Sequence, residues 1–150
     1  SDAHHVTAPC PDGEGAARCM KLALARAGMQ PSDIGYINAH GPSTPLGDKA
    51  ETLAVKSVFG GRECAPPMSS TKSATGHLMG AGGLTEVIAC IMALREGVLP
   101  PTLHLDTPDP DCDLDYVPNT ARKADISAAM SNSLGFGGQN SSIIVAKYEL

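Results

Sequence analysis

Apolar residues recur at helical spacing in three stretches of the chain. Over residues 13–27 they form one stripe at three- and four-residue steps, and Gly28 follows where a left-handed cap is expected. A second helix is predicted over residues 49–59, with Asp48 as its N-cap and a glutamate three places later, as in a capping box. The third, over residues 83–95, is apolar on nearly every side, which indicates burial within a larger body.

Short apolar runs predict four strands, at residues 34–39, 68–72, 126–132 and 141–148. The last two enclose a glycine-rich tip, which predicts a hairpin. A proline-rich stretch over residues 99–118 predicts a long irregular connection across the surface. Helices and strands alternate along most of the chain, and this order is typical of an α/β fold with a largely parallel sheet.

Composition excludes several classes of function. Eleven basic and sixteen acidic residues give a net charge of −5, and the absence of a basic run argues against nucleic acid as a partner. No apolar run approaches the roughly 18 residues of a membrane span, and the first residues do not resemble a signal peptide. Five widely spaced cysteines, with no Cys-x-x-Cys pair, predict neither a zinc cluster nor a disulfide framework. We therefore expect a cytoplasmic protein with no membrane contact.

Polar clusters follow the predicted strands at the places where ligand chemistry gathers in an α/β sheet. His40 follows the first strand, Lys72 and His77 follow the second, and a glycine-rich cluster ends the third. Convergence of these clusters on one pocket is expected, where neutral imidazoles stabilise an enolate or an oxyanion. Lys72 is a candidate to orient a histidine or a carboxylate, with Glu51 and Glu86 as candidate partners.

The remaining histidines and the acidic loop do not predict a metal site. His4, His5 and His104 are interpreted as solvent-exposed or packing residues, because a histidine pair near a terminus needs further ligands. Carboxylates over residues 106–115 are interrupted by two prolines and lack the glycine of a calcium loop. A solvated loop is the simpler interpretation.

Three long motifs carry a resemblance to a known family. They are Asn-Ala-His-Gly-Pro-Ser-Thr-Pro-Leu-Gly-Asp-Lys-Ala-Glu at 38–51, Ser-Ser-Thr-Lys-Ser-Ala-Thr-Gly-His-Leu-Met-Gly-Ala-Gly-Gly at 69–83, and Asn-Ser-Leu-Gly-Phe-Gly-Gly-Gln-Asn at 132–140. With these motifs, the sequence resembles the C-terminal half of the elongating, type II β-ketoacyl-acyl-carrier-protein synthases over essentially all 150 residues.

The resemblance implies half of a thiolase-like fold over residues 1–150. This is a mixed, mostly parallel five-stranded sheet with helices packed on it, whose first strand, a central one, is truncated. It also implies a decarboxylative Claisen condensation of malonyl-acyl-carrier protein with an acyl thioester, in fatty acid or polyketide elongation. The implied partners are acyl carrier protein, malonyl and acyl thioesters, and a second copy or a complementary N-terminal half. No cofactor is implied beyond the carrier protein's phosphopantetheine, which holds the substrates.

The family's catalytic positions fall on His40, His77 and Lys72. By similarity, the two histidines would bind the malonyl thioester carbonyl and stabilise the enolate formed on decarboxylation. Lys72 either takes part in the chemistry or, in an ion pair, only fixes the loop. Glu51 and Glu86 match acidic positions around the motif lysine.

The family's substrate-contacting positions fall on Thr7, Thr44, Phe136 and Gly137. The two threonines match residues that contact the pantetheine arm, and Phe136, followed by Gly137, matches a gating phenylalanine. Pro42 replaces a usual threonine near the pantetheine path, and Leu134 replaces a usual phenylalanine in the gating loop.

The family's nucleophilic cysteine belongs to the N-terminal half, and none of the five cysteines here lies at a matching strand-to-helix turn. Three hypotheses follow: half of a condensing enzyme, a non-condensing module that binds acyl-carrier thioesters, or an inert fragment. Intact histidines and lysine favour the first hypothesis. We expect no condensation by this chain alone, and we expect oligomerisation through an exposed apolar surface.

Overall fold

The computed structural model describes residues 1–148. The helices are α1 (Glu14–Ala27), α2 (Pro45–Phe59), α3 (Lys72–Thr75) and α4 (Gly82–Glu96). The strands are β1 (Tyr36–Asn38), β2 (Met68–Ser69), β3 (Val98–Leu99), β4 (Arg122–Lys123), β5 (Ala128–Gly135) and β6 (Gln139–Ala146). Short 3₁₀ turns lie at Pro31–Asp33, Arg62–Cys64, Met79–Ala81 and Phe136–Gly138.

The main sheet has four strands in the order β2-β1-β5-β6. β1 is parallel to both of its neighbours, and β5 is antiparallel to β6, as the predicted hairpin requires. A separate antiparallel pair joins β3 to β4. The mixed, mostly parallel α/β sheet is therefore confirmed, but it has four strands among residues 1–148 where five were expected.

No truncated first strand is seen at the start of the described chain, because residues 1–13 form neither helix nor strand. Instead, this segment lies over the turn between β5 and β6. Asp2 donates its backbone N–H to the carbonyl of Gly138 at 2.9 Å, and Gly137 donates to the carbonyl of Val6 at 2.7 Å. As a result, within the described residues β6 forms the outer edge of the main sheet.

Helices cover both faces of the sheet. On one face Ile37 and Met130 pack against α1 and α2, and on the other Tyr36 and Ala129 pack against α4. The alternation follows from the strand, in which successive side chains point to opposite faces. This arrangement leaves the carboxyl ends of β1, β2 and β5 at one edge of a three-layer structure.

α2 begins earlier than the sequence predicts and ends at the predicted residue. The helix begins at Pro45 after the extended residue Thr44, because a proline at the first helical position has the required φ and lacks only an N–H that would be unpaired. Asp48 therefore lies inside the helix, and the predicted capping box is wrong. The helix ends at Phe59 as predicted, with Gly60 in a left-handed conformation.

The predicted strand over residues 68–72 is also shorter, because β2 ends at Ser69 and Lys72 begins α3. The apolar pattern of α4 predicts burial within a larger body, and within the described chain only one side of the helix is buried. Cys90, Ala93 and Leu94 are buried against the sheet, but the opposite side is exposed. That side, here called the open face of α4, consists of Leu84, Ile88, Ile91 and Met92.

The connection over residues 100–121 is irregular, as predicted, and it is held to α2 by ion pairs. Lys49 pairs with Asp111 at 2.7 Å, and Lys56 pairs with Asp113. None of the helices formed by residues 1–148 has the length and apolar character that crossing a bilayer requires.

Candidate active site

The strand order brings the predicted catalytic side chains together. β1 and β2 are parallel neighbours, so His40 and Lys72, which follow them, lie at the same edge of the sheet. The imidazole rings of His40 and His77 meet edge to face, with their centroids 5.5 Å apart and their planes at 79°. Two imidazoles and a lysine thus share one end of the sheet.

The backbone at His40 is fixed by a buried carboxylate. Glu51 accepts the backbone N–H of His40 at 3.0 Å and that of Gly41 at 2.9 Å. Asn132, in β5, adds a third donor at 3.2 Å through its side-chain amide. Burial raises the pKa of Glu51, and the three hydrogen bonds oppose that rise. Glu51 therefore links the first motif to the third and does not pair with Lys72.

Glu86, in α4, is the partner of Lys72. The two side chains form an ion pair and are 3% and 7% exposed, respectively. The Lys72 ammonium also donates to the backbone carbonyl of His40. Ser133 donates to the second carboxylate oxygen of Glu86 at 3.4 Å. A buried ammonium with two acceptors is held firmly, so its geometry suits positioning.

The environment of His40 keeps its imidazole neutral. Burial, the Lys72 ammonium and His77 together lower the pKa of His40 to about 4. At neutral pH the ring therefore retains one N–H that donates a hydrogen bond. Such a donor stabilises an oxyanion that develops next to it.

We expect a titration of the imidazole signals by NMR to give His40 a midpoint near pH 4. Because this pKa lies below the ordinary value of 6.5, the folded state resists protonation. The stabilising contribution is complete above pH 6.5 and is lost as the pH falls towards 4. A midpoint near 6.5 would show that the ring is solvated. In His77→Ala, which removes one of the three causes, the midpoint should rise.

His77 is exposed at the mouth of the site, and its own turn orients the ring. Its Nδ1 accepts the backbone N–H of Met79 at 3.1 Å. In the neutral ring the proton is then on Nε2, which leaves this atom as a donor. Gly76, which directly precedes His77, has a φ of 73°, in the left-handed region that glycine adopts readily.

A cleft of about 620 Å³ opens beside these residues. Its walls include His77, Lys72 and Thr44, and Pro42 and His104 also line it. The predicted pantetheine-contacting position Thr44 is therefore placed at the cleft. Among residues 1–148 no three His, Cys, Asp or Glu side chains are grouped as a metal site.

The structure does not bring every predicted residue to the cleft. His40, Thr7, Phe136 and Gly137 are not part of its lining, and Phe136 is 75% exposed at the turn between β5 and β6. Leu134, at the position of a usual phenylalanine, packs against the core under α1 and α2. The roles of Thr7, Phe136 and Gly137 stay predictions from the resemblance.

The glycine-rich turn after β5 offers a matched pair of substitutions. Gly137 and Gly138 both have positive φ, of 75° and 69°, and an alanine there carries a penalty of roughly 1–2 kcal/mol. A Cβ on Gly138 would lie 2.6 Å from the backbone nitrogen of Asp2, whereas nothing lies within 4 Å of one on Gly137. We expect urea unfolding to show that Gly138→Ala is less stable than Gly137→Ala by about 1–3 kcal/mol. Equal values would mean that the N-terminal segment does not rest on this turn.

Cys90 and Cys112 differ in burial, but neither has an activated thiol. Cys90 is fully buried, and burial raises the pKa of its thiol to about 12. Cys112 lines the cleft, and burial raises the pKa of its thiol as well. A thiol with a raised pKa is a poor nucleophile at neutral pH.

Sequence reasoning did not find the buried polar residues beneath the site. Tyr36, Asn38 and Ser69 are fully buried and hydrogen-bonded to one another, and Asn132 is buried against Glu51. The one available signal was an uncharged polar residue at a position where a strand faces the core. That signal identifies a hydrogen-bonding requirement but not the partner.

The comparisons with known proteins agree with this arrangement. The family description "Beta-ketoacyl synthase, C-terminal domain" matches residues 1–106. The 3-oxoacyl-[acyl-carrier-protein] synthase 2 of Staphylococcus aureus (strain COL) is 51% identical over 148 residues, which are 99% of this chain and 36% of the relative. The protein of the same name from Synechocystis sp. is 49% identical over the same shares. This chain thus spans little more than a third of the length of these relatives.

Solved structures of similar fold include the ishigamide ketosynthase/chain length factor, with a TM-score of 0.94 and 41% identity. A beta-ketoacyl synthase from Burkholderia phymatum STM815 has a TM-score of 0.92 and 41% identity. Each alignment covers 99% of this chain and 36% of the other. These matches confirm the thiolase-like fold and the resemblance that the three motifs carry. The chain belongs to the beta-ketoacyl synthase family and corresponds to its C-terminal part.

Proposed function

We propose that this chain supplies the decarboxylating half of a β-ketoacyl-acyl-carrier-protein synthase. The observation that supports this proposal is the pair of imidazoles, His40 and His77, in contact beside the cleft. His40 is neutral at physiological pH, and the Nε2 of His77 is oriented as a donor. The substrate would be a malonyl thioester carried on phosphopantetheine, with no further cofactor.

In the proposed reaction, the thioester carbonyl oxygen accepts hydrogen bonds from the two imidazoles. The bond between the carboxylate and the α-carbon breaks, carbon dioxide leaves, and the electron pair passes to the enolate. The enolate oxygen carries the developing negative charge, so donors already in place lower the barrier. The α-carbon then attacks an acyl thioester on a cysteine, and the thiolate leaves with the former bonding pair.

We assign Lys72 a positioning role and not a proton-transfer role. Its ammonium is occupied by Glu86 and by the carbonyl of His40, which leaves it little freedom to meet substrate. Together with burial, its charge lowers the pKa of His40 and so keeps the imidazole neutral. Glu51 holds the same loop from the other side through the backbone N–H groups of His40 and Gly41.

The cysteine that carries the acyl thioester under attack would have to come from outside this chain. Cys112 is the cysteine of the described cleft lining, and its raised pKa makes it a poor acyl acceptor. We therefore propose that the chain alone does not condense, and sustained 3-ketoacyl product from it would refute this. A non-condensing module that binds acyl-carrier thioesters is the alternative, and the proline at position 42 in the cleft wall favours it.

The proposed partners are acyl carrier protein and either a second copy or a complementary N-terminal half. One similar structure is described as a type II polyketide synthase acyl-carrier protein in complex with its ketosynthase. Another is a ketosynthase in complex with its chain length factor. The open face of α4 would be covered by the second copy or the N-terminal half, since its apolar side chains are exposed in this chain.

The function is tested with malonyl-acyl-carrier protein and acyl-acyl-carrier protein, read by intact mass. The chain is assayed alone and mixed with the N-terminal half of the Staphylococcus aureus relative. Loss of carbon dioxide and a 3-ketoacyl product only in the mixture would support the proposal. Carrier-protein binding without either product would favour the binding module, and neither binding nor product would leave an inert fragment.

In the same mixture, we expect His77→Ala to lower the rate of decarboxylation about a hundredfold, the typical effect of losing one oxyanion donor. Because His77 is exposed, its removal should leave the urea midpoint almost unchanged. His104→Ala is the matched control, since His104 lines the same cleft and the imidazole in contact with His40 is that of His77. An equal loss in both variants would contradict the assigned role of His77.

A further inference from the structure

A chain of buried hydrogen bonds runs beneath the site from α3 to the loop after β3. The hydroxyl of Tyr36 lies 2.7 Å from that of Ser69, which donates to the carbonyl of Pro100 at 2.6 Å. The side-chain amide of Asn38 donates to the Tyr36 hydroxyl at 3.3 Å. Thr71 donates from its hydroxyl to the amide oxygen of Asn38 at 3.3 Å. Five residues from four segments are thus connected.

The directions of the bonds from Pro100 to Asn38 follow from the carbonyl end, whereas Asn38 and Thr71 lie within hydrogen-bonding distance in both directions, at 3.2 and 3.3 Å. A carbonyl oxygen only accepts, so Ser69 must donate to Pro100. Ser69 then accepts from Tyr36, and Tyr36 accepts from the amide of Asn38. Burial raises the pKa of Tyr36, which keeps its hydroxyl protonated and able to donate. From Pro100 to Asn38 the hydrogen bonds therefore have one consistent arrangement, in which the phenol is the central group.

The two ends of this series of hydrogen bonds lie at the start of α3 and at the wall of the cleft. Thr71 directly precedes Lys72, and its backbone carbonyl accepts the N–H groups of Ala74 and Thr75 in α3. At the other end, Pro100 leads into the cleft wall. There Thr102 accepts the N–H of Ser70 at 3.1 Å through its hydroxyl.

We propose that Tyr36 is a positioning residue that holds the start of α3, and with it Lys72, in register with the cleft wall after Pro100. Because its phenol bridges Asn38 and Ser69, it adds a side-chain link between β1 and β2, two strands that are also paired through their backbones. Loss of the hydroxyl leaves the ring in place but breaks the chain at its centre. The consequence for turnover rests on the proposed function, whereas the consequence for α3 does not.

The test is hydrogen exchange on the full chain carrying Tyr36→Phe. We expect the amides of Ala74, Thr75 and Gly76 to exchange about tenfold faster, the effect of losing one net hydrogen bond. Amides in the hairpin of β5 and β6 should change little. Tyr116→Phe is the matched control, because that hydroxyl bonds Thr52 at 2.6 Å and takes no part in the hydrogen bonds between Thr71 and Pro100.

Two outcomes would overturn the proposal. One is unchanged exchange in α3, and the other is an equal acceleration in α3 and in the hairpin, which is the signature of global destabilisation alone. If Tyr36→Phe does not fold, Thr71→Val removes the hydroxyl at the α3 end and is read by the same amides.

In the mixed assay, Tyr36→Phe should lower the maximal rate of decarboxylation and leave KM unchanged. If the unaltered chain shows no decarboxylation, the proposed function fails while the exchange result still decides the role of Tyr36. If decarboxylation is normal in Tyr36→Phe although α3 exchanges faster, the link from α3 to turnover is refuted.

Discussion

Lys72→Met is expected to lower the free energy of unfolding by about 3–5 kcal/mol, the typical effect of removing one partner of a buried ion pair. The substitution leaves the Glu86 carboxylate buried, with Ser133 as its one remaining donor among residues 1–148. It also leaves the carbonyl of His40 without the ammonium. Urea unfolding followed by circular dichroism measures the loss.

The double variant Lys72→Met/Glu86→Leu separates the ion pair from simple packing. With both charges gone, no ion is left uncompensated, and at least half of the lost stability should return. The carbonyl of His40 stays unpaired, so recovery should be incomplete. If the double variant is as unstable as the sum of its single variants, the buried charge is not the reason for the loss.

Glu51→Met is expected to lower the free energy of unfolding by about 3–5 kcal/mol, because each buried donor left without an acceptor costs about 1–3 kcal/mol. Three donors lose their acceptor: the backbone N–H groups of His40 and Gly41 and the amide of Asn132. Methionine keeps most of the volume, so a cavity contributes little. The same urea experiment measures this loss.

Glu51→Gln keeps one carbonyl oxygen as an acceptor and should lose less stability than Glu51→Met. Glu63→Met is the surface control, since Glu63 is exposed and such changes usually stay within about 0.5 kcal/mol. An effect of Glu51→Met no larger than that of the surface control would show that the loop at His40 is held by other contacts.

The features of the structure that depend on residues close together in the sequence were predictable. Gly28 and Gly60 end α1 and α2 because a left-handed residue closes each helix, and both positions are readable from the sequence. The β5–β6 hairpin was equally readable, although its strands begin and end at somewhat different residues. The meeting of His40 and His77 followed from parallel strands that end at one edge.

The partners of side chains that contact residues far away in the sequence were not predictable in the same way. Asp48 and Glu51 have the spacing of a capping box, but Glu51 faces inward and bonds the loop before the helix. Spacing alone does not distinguish the two, because both place a carboxylate near backbone N–H groups. Likewise, Glu51 and Glu86 were equal candidates for Lys72 until the packing of α4 selected Glu86.

The pairing of very short strands and the exposure of one side of α4 could not be predicted from the sequence either. β3 and β4 have two residues each, and their pairing depends on the path of the loop between them. The apolar pattern of α4 predicted burial within a larger body, and this stays a prediction. It did not reveal that Leu84 and Ile88 would find no cover within this chain.

The outer edge of β6 has a practical consequence for anyone handling this chain. Its eight residues carry no charge and no proline, and one of them, Ile143, is half exposed. Natural edge strands usually carry a lysine, a proline or a bulge, which keep them from recruiting strands of other molecules into fibrils. Concentrated samples should therefore be watched for slow precipitation and thioflavin binding, and a lysine at Ser141 is the first solubilising change to make.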